Sequence, residues 1–228
     1  GLGDVYKRQT LAQSAGYDGV EIMGSEGYFL NQFIALRTNH RVDAWGGSYD
    51  NRIRLAVEIV RQVRQAVKEN FIIIYRLSMI DLVEGGSTIE EVIKLGKEIA
   101  AAGATILNTG IGWHEARIPT IATSVPRAAF TWVTAMVRSE MPIPVITSNR
   151  INTPDVAETI IARGDADMVS MARPFLADAN FVSKAANGRG DEINTCIACN
   201  QACLDAIFNG KITSCLVNPC ACNETEIA

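Results

Sequence analysis

The chain has 228 residues, with 21 Lys and Arg against 25 Asp and Glu, and so a formal charge of −4. At about 150 residues per domain, this length suggests one large domain or one and a half. A hydrophobic content of 48% with 20% charged residues places the chain far from disordered sequences. The mild acidity speaks against nucleic acid or an anionic membrane as a partner, since both select a basic face. No apolar run approaches the ~18 residues of a membrane span. The amino end has no charged-then-apolar signal pattern, so the expected address is cytoplasmic.

The first nine residues, GLGDVYKRQ, have neither helical nor strand periodicity and run abruptly into Thr10 and Leu11. They resemble translated sequencing adaptor, so residues 1–9 are set aside as a non-native leader. That reading implies a natural chain beginning further upstream.

From Thr10 onward short apolar runs alternate with amphipathic segments. The first strand is expected over 19–23. Residues 51–68 then carry Ile53, Val57, Val60, Val63 and Val67 at steps of three or four, one stripe of a helix. A second strand is expected over 71–75. Thr88 with Glu91 three residues later forms a capping box before a helix bearing Val92, Ile93 and Ile99. The third strand falls at 104–109, followed by a helix marked by Phe130, Val133 and Val137. The fourth falls at 144–147. Thr153 and Pro154 supply a cap and a first-turn proline for the next helix, which ends near Gly164. The fifth strand falls at 167–171.

Alternating strands and helices with apolar strands imply a parallel α/β sheet, doubly wound or closed as a barrel. Polar candidates follow every strand: Glu21 to Tyr28, Arg76 and Ser78, Asn108 and His114, Asn149 and Arg150, Ser170 and Arg173. A (β/α)₈ TIM barrel builds its site from all its strand ends, whereas a doubly wound sheet concentrates its site at one switch point. Neither GxGxxG nor GxxxxGK[ST] is present, which favours the barrel. Only five units are visible, so the expectation is a partial barrel, about strands 4–8, over residues 10–190; an open five-stranded α/β domain is the alternative.

All six cysteines lie between Cys196 and Cys222. Cys196-x2-Cys199-x3-Cys203-x11-Cys215 puts three thiols on one tight loop and a fourth a short helix later. Four thiolates suit an iron–sulfur cluster or zinc. Zinc ribbons usually pair two CxxC knuckles, and only the first pair here has that spacing. A 4Fe–4S site is therefore favoured for residues 191–228, with zinc and incidental thiols as alternatives. Cys220 and Cys222 read as spare thiols. A one-electron centre beside a barrel suggests a redox enzyme with a second cofactor, for which flavin is the natural candidate.

The stretch YDGVEIMGSEGY at 17–28, RVDAWGGS at 41–48 and NRIR at 51–54 resemble the old yellow enzyme family of FMN barrels. Within that family IGWHEAR at 111–117, SNR at 148–150, MARP at 171–174 and the cysteine spacing are similar to the NADPH-dependent 2,4-dienoyl-CoA reductase branch. The resemblance implies an FMN barrel, a 4Fe–4S segment, and then FAD- and NADPH-binding domains beyond this chain. Electrons would pass from NADPH through FAD and the cluster to FMN, and on to an acyl-CoA substrate of unsaturated fatty acid oxidation.

The resemblance also implies roles for single residues. Arg76, Arg150, Ala172 and Arg173 match FMN-binding positions; Arg150 and Arg173 follow the last two strands, where barrels commonly bind phosphate, and a guanidinium fork suits phosphate oxygens. Tyr28 and His114 match a proton-delivering pair. Arg37, His114, Glu115, Ala116 and Arg117 match substrate-contacting positions. Cys196, Cys199, Cys203 and Cys215 match the cluster ligands. Generic ene-reductases of the family carry a His-x-x-Asn pair that holds the carbonyl of small enones, and Met23 and Glu26 stand there instead. That departure fits a CoA thioester. Trp45, Trp113 and Trp132 read as packing residues.

Two rival functions remain at this stage: another FMN/4Fe–4S reductase or amine dehydrogenase of the same architecture, and a zinc-stabilised binding module without redox chemistry. The expected partners are the acyl-CoA and the missing amino-terminal strands and FAD/NADPH domains of the same protein. Without those strands the chain would leave open sheet edges and a half-lined flavin site, so weak FMN retention and no NADPH oxidation are expected of it alone.

Overall fold

The computed structural model describes residues 3–227. Five parallel strands, β1 (Gly19–Gly24), β2 (Ile72–Ile80), β3 (Ile106–Ile111), β4 (Val145–Thr147) and β5 (Met168–Val169), lie side by side in chain order. Sequential order is the barrel pattern; a doubly wound sheet would reverse direction at its switch point. The register aligns Met23, Arg76, Asn108 and Ile146 across the first four strands.

The two faces of this sheet differ. Ile22, Ile73, Tyr75, Leu77, Leu107 and Val145 are buried, whereas the alternating Glu21, Met23, Ile72, Ile74 and Arg76 are exposed or half-buried. Along β1 and the start of β2 the core is thus built on one face, as in a barrel wall whose helices lie outside, whereas β3 and β4 are buried on both faces.

The longer helices are α1 (Gly3–Ser14), α2 (Phe29–Ile34), α3 (Tyr49–Ala66), α4 (Ile89–Ala101), α5 (Thr131–Arg138), α6 (Pro154–Ala162), α7 (Arg173–Ala177) and α8 (Phe181–Ala186), with short helical turns at Gly190–Glu192 and Gln201–Asp205 and a last helix at Ala206–Phe208. In α3 the stripe Ile53, Val57, Val60 and Val63 is buried together with Leu55, Ala56 and Ile59; Val67 caps the helix instead of extending it. Ser48 starts α3 by accepting the Asn51 N–H. The capping box of α4 is present in both directions between Thr88 and Glu91, and α6 begins with Thr153 as cap and Pro154 in its first turn.

Three expectations need correction. Residues 1–9 showed no periodicity, yet from Gly3 the backbone is helical and continues unbroken to Ser14. That helix has no concentrated apolar face, with Leu11 two-thirds exposed, so periodicity had nothing to detect. Arg76 and Ser78, expected after the strand at 71–75, lie within β2, which extends past its apolar run; Asn108 lies within β3, inside the span expected for that strand. Trp113 is buried and Trp45 packs against the core, but Trp132 is half exposed on α5 and is no packing residue.

The chain divides into two compact units: one comprises residues through Ile118 with Phe130–Thr147 and Asp165–Met168, the other Pro119–Ala129, Ser148–Gly164 and the residues from Val169 on. The cysteine segment groups with loops from the preceding part because side chains tie it there: Asn152 Nδ2 donates to the Cys196 carbonyl at 2.7 Å and Thr123 Oγ1 to that of Ile197 at 2.7 Å. Among the described residues, no helix is long and apolar enough to cross a membrane.

Candidate functional site

In the first unit, Arg76 stands on the half-open face of β2. Its Nη2 donates to Glu26 Oε1 at 2.7 Å, and its Nη1 lies 4.0 Å from Glu21 Oε1. Glu21 Oε2 in turn accepts from Asn108 Nδ2 at 2.7 Å. Arg76 Nε is buried and has no hydrogen-bond partner among the described residues. A buried guanidinium N–H without an acceptor is costly, so this donor is suited to an acceptor brought by a bound molecule.

The loop after β1 turns through Glu26 and Gly27, both in the left-handed region (φ 63° and 81°). Asn31 Oδ1 accepts the Gly27 N–H at 2.8 Å, and Gln32 Nε2 donates to the Gly27 carbonyl at 2.7 Å. Tyr28 is thereby fixed as the extended residue that precedes α2. Gly27 is required on a second ground: a Cβ there would lie 3.0 Å from the Trp113 ring. That close approach sets the Tyr28 loop against the loop after β3, and Tyr28 Oη lies 2.8 Å from His114 Nε2 with the rings edge to face. Both side chains are exposed. The pair expected for proton delivery is brought together.

Asp81, which sequence reasoning missed, secures the His114 side. Buried just past β2, it accepts from Ser78 Oγ at 2.7 Å, Trp113 Nε1 at 2.8 Å and the Ser87 N–H at 2.8 Å. Glu21 and Glu26 stand in the sequence as polar residues of the 17–28 stretch; their link to Arg76 depends on register, which spacing along the chain does not reveal.

Arg37, Glu115 and Arg117 are exposed and Ala116 half-buried. Arg37 Nη1 donates to the Glu84 carbonyl at 3.4 Å, and the Ala116 N–H to that of Trp113 at 3.0 Å. Among the described residues, no hydrogen bond or ion pair joins Arg37, Glu115 or Arg117 to the Tyr28–His114 pair.

In the second unit, Asn149 and Arg150 after β4 are consecutive non-glycine residues with positive φ (71° and 59°). Such strain persists only where the surroundings enforce it. Here Arg150 Nε donates to the Val125 carbonyl at 2.8 Å, and the Arg150 carbonyl accepts the Ala128 N–H at 3.1 Å. Burial lowers the proton affinity of the Arg150 guanidinium from its ordinary value; the like charge of Arg173 adds to this, Cys196 opposes it, and Arg127 adds again. Ala172 precedes α7 and Arg173 opens it. Among the described residues neither Arg150 nor Arg173 has a carboxylate partner in an ion pair. Two guanidiniums left without carboxylates fit a phosphate.

Cys196, Cys199, Cys203 and Cys215 line one small hollow with Arg173, Leu176, Ala198 and Leu216. All four thiols are free and half-buried. Ala198 and Asn200 take left-handed backbone (φ 57° and 63°), which curls the loop, and the Ser214 N–H bonds the Ala202 carbonyl at 2.8 Å. Among the described residues, no three His, Cys, Asp or Glu side chains converge closely enough to hold a single metal ion. The four cysteines share a cavity without forming an ion-sized cage. Cys220 is half-buried and Cys222 exposed, and neither lines that hollow.

A sequence model of the NADH:flavin oxidoreductase / NADH oxidase family matches residues 6–192. The chain belongs to that family. Among curated relatives, a metal reductase of Desulforamulus reducens is 41% identical over 97% of this chain, and an NADH oxidase of Thermoanaerobacter brockii is 38% identical over 93%. The chain spans about a third (33%) of the length of each. Among solved structures, a complex of 2-naphthoyl-CoA reductase with 2-naphthoyl-CoA superposes with a TM-score of 0.95 at 33% identity, covering 99% of this chain and 34% of that one. The old yellow enzyme homologue of Zymomonas mobilis superposes at 0.66 with 26% identity, covering 82% of this chain and 51% of its own. The parallel α/β sheet is accordingly of the old yellow enzyme barrel type.

Proposed function

We propose that this chain forms the flavin- and cluster-binding part of a reductase acting on 2,4-dienoyl-CoA, within an enzyme that draws electrons from NADPH through FAD. The observation that carries the reading is the 2.8 Å contact between Tyr28 Oη and His114 Nε2. Hydride addition to a conjugated dienoyl thioester leaves negative charge over the dienolate, and carbon must then receive a proton. A phenol with an ordinary pKa near ~10 is a weak acid for that task unless a neighbour stabilises the phenolate. His114 is within hydrogen-bond reach to do so, and Tyr28 donates the proton. Met23 and Glu26 support a thioester over a small enone, because neither reproduces the His-x-x-Asn clamp on an enone oxygen. The similarity to a structure holding a CoA thioester is in keeping with this.

The residues present fit FMN. Arg76 offers its unpartnered Nε, and Arg150 and Arg173 bring uncompensated charge suited to a phosphate. FMN, when bound, supplies the hydride chemistry. The thiol hollow fits a 4Fe–4S cluster, whose four thiolates stand around a polynuclear body instead of a single ion; a cluster supplies one-electron transfer.

The test uses the full-length enzyme in which we propose the chain lies, purified anaerobically, with 2,4-decadienoyl-CoA and cyclohexenone as competing substrates. Dienoyl-CoA reduction is expected, with Tyr28→Phe lowering kcat by about 10²–10⁴-fold while leaving FMN content unchanged. Reduction of the enone alone, oxidation of methylated amines, or a colourless protein with stoichiometric zinc would each sink the reading.

A further inference from the structure

Arg173 belongs to two neighbourhoods of the second unit at once. It follows β5, where the family resemblance puts the flavin phosphate, and it also lines the hollow shared by the four cysteines. Its Nη1 donates to Asn200 Oδ1 and to the Ile121 carbonyl, the latter at 3.1 Å. Asn200 lies between Cys199 and Cys203. It holds the left-handed backbone that asparagine accepts more readily than most residues (φ 63°), and its carbonyl accepts the Asp205 N–H at 3.0 Å. The amide that grips the guanidinium is therefore anchored in the thiol loop. Leu176, Ile197, Ala198, Leu216 and Val217 make the rest of the hollow apolar, and an apolar lining strengthens the effect of a fixed charge.

We propose that Arg173 is a positioning residue that sets the reduction potential of the thiol-bound cluster, with Asn200 as the tether that fixes its charge at the hollow. The proposal rests on the reading that the hollow takes an iron–sulfur cluster. Reduction adds one negative charge to such a centre, and potentials respond to net charge and to hydrogen bonding around it. Among the described residues Arg173 has no carboxylate in an ion pair, and a cation so placed favours the reduced form and raises the midpoint. The role is separable from phosphate binding, because Nη1 is already engaged by Asn200 Oδ1 and the Ile121 carbonyl and the two functions are measured independently.

The experiment is an EPR-monitored potentiometric titration of the anaerobically purified full-length enzyme, with iron per chain and FMN affinity measured separately. Arg173→Gln is expected to lower the cluster midpoint, Arg173→Lys to retain most of it, and Asn200→Ala to lower it by less than Arg173→Gln. A wild type without iron overturns the cluster reading and this proposal together. A wild type with four irons, beside an Arg173→Gln variant of unchanged midpoint, overturns the proposal alone. If Arg173→Gln takes up no iron, Asn200→Ala decides: a lowered midpoint supports the tether, and an unchanged one overturns it.

Discussion

The two units of this chain are held together by different physics. In the first, the contiguous cluster of buried side chains runs from Ile22 on β1 through α3, β2, α4 and β3 to Val145 on β4, with Val60, Val63, Ile73, Leu77, Ile99 and Leu107 sealed from solvent. In the second, helices and strands are short, and order comes largely from polar side chains gripping backbone: Asn152 on Cys196, Thr123 on Ile197, Arg150 on Val125, Asn218 on Leu176. The first unit resembles a small domain core; the second resembles a set of loops bolted together. Apolar burial is spread over many residues and degrades gradually, whereas a tether is local and fails when one atom goes.

The largest expected effect is at the tether with the most partners. Asp178 is buried and accepts from Lys184 Nζ at 2.7 Å, the Asn180 N–H at 2.9 Å and the Asn194 N–H at 3.0 Å. Burial pushes its carboxyl up, but Lys184 and the two backbone donors outweigh burial and hold it below its ordinary value. Asp178→Ala leaves the two backbone donors unpaired and Lys184 with the Glu192 carbonyl alone, and should cost about 3–5 kcal/mol, read as exposure of residues 178–194 to hydrogen exchange. A depressed carboxylate stabilises the fold fully above its unfolded value and loses that contribution as pH falls through the folded one. Acid should therefore loosen this segment only below pH ~4, and Asp178→Asn should flatten that dependence. Unchanged exchange in Asp178→Ala would break the contrast between the units.

The corresponding lesion in the first unit removes apolar volume. Ile99 is fully buried on α4, and Ile99→Ala should cost about 2–4 kcal/mol through lost burial and a residual cavity, measured as a lower urea midpoint. Here protection should fall across β2, β3 and α4 together, not in one loop. A smaller effect is expected where the same core admits no added atom. A Cβ on Gly24 would lie 2.1 Å from Tyr75 Oη, so Gly24→Ala must displace a fully buried ring. Overpacking of this kind costs about 1–3 kcal/mol, and Tyr75→Phe should relieve part of it, since the hydroxyl has no hydrogen-bond partner among the described residues.

The same contrast explains what could be read in advance. Helix α3 was legible because Ile53, Val57, Val60 and Val63 repeat at the helical period and all face one core. Helix α1 was not, because no stripe marks it. The Cys196–Cys215 spacing announced a shared hollow, since sequence proximity alone brings three of the four together. Arg76 with Glu26 and Glu21, and Asp81 with Trp113, stayed hidden: each pair lies 30 or more residues apart and meets only through strand register. Tyr28 and His114 were named through family resemblance, and what joins their loops is the bare Gly27 beneath the Trp113 ring, which no periodicity encodes.

The smallest predicted effect separates the units most cleanly, because it compares one structural role in both. In α4, Thr88 Oγ1 accepts the Glu91 N–H at 3.3 Å and Glu91 Oε2 accepts the Thr88 N–H at 3.1 Å. Thr88→Ala removes one of these bonds and spares the other, as well as the 2.8 Å pair between Glu91 and the buried Arg52, so a loss of about 1 kcal/mol is expected. In α8, Asn180 occupies the equivalent position, but its side chain makes no capping bond; its backbone N–H, held by Asp178, does the positioning. Asn180→Ala should therefore change stability by less than ~0.5 kcal/mol. Equal losses from the two substitutions would show that the second unit relies on helix caps as the first does, and that its tethers contribute less than the geometry implies.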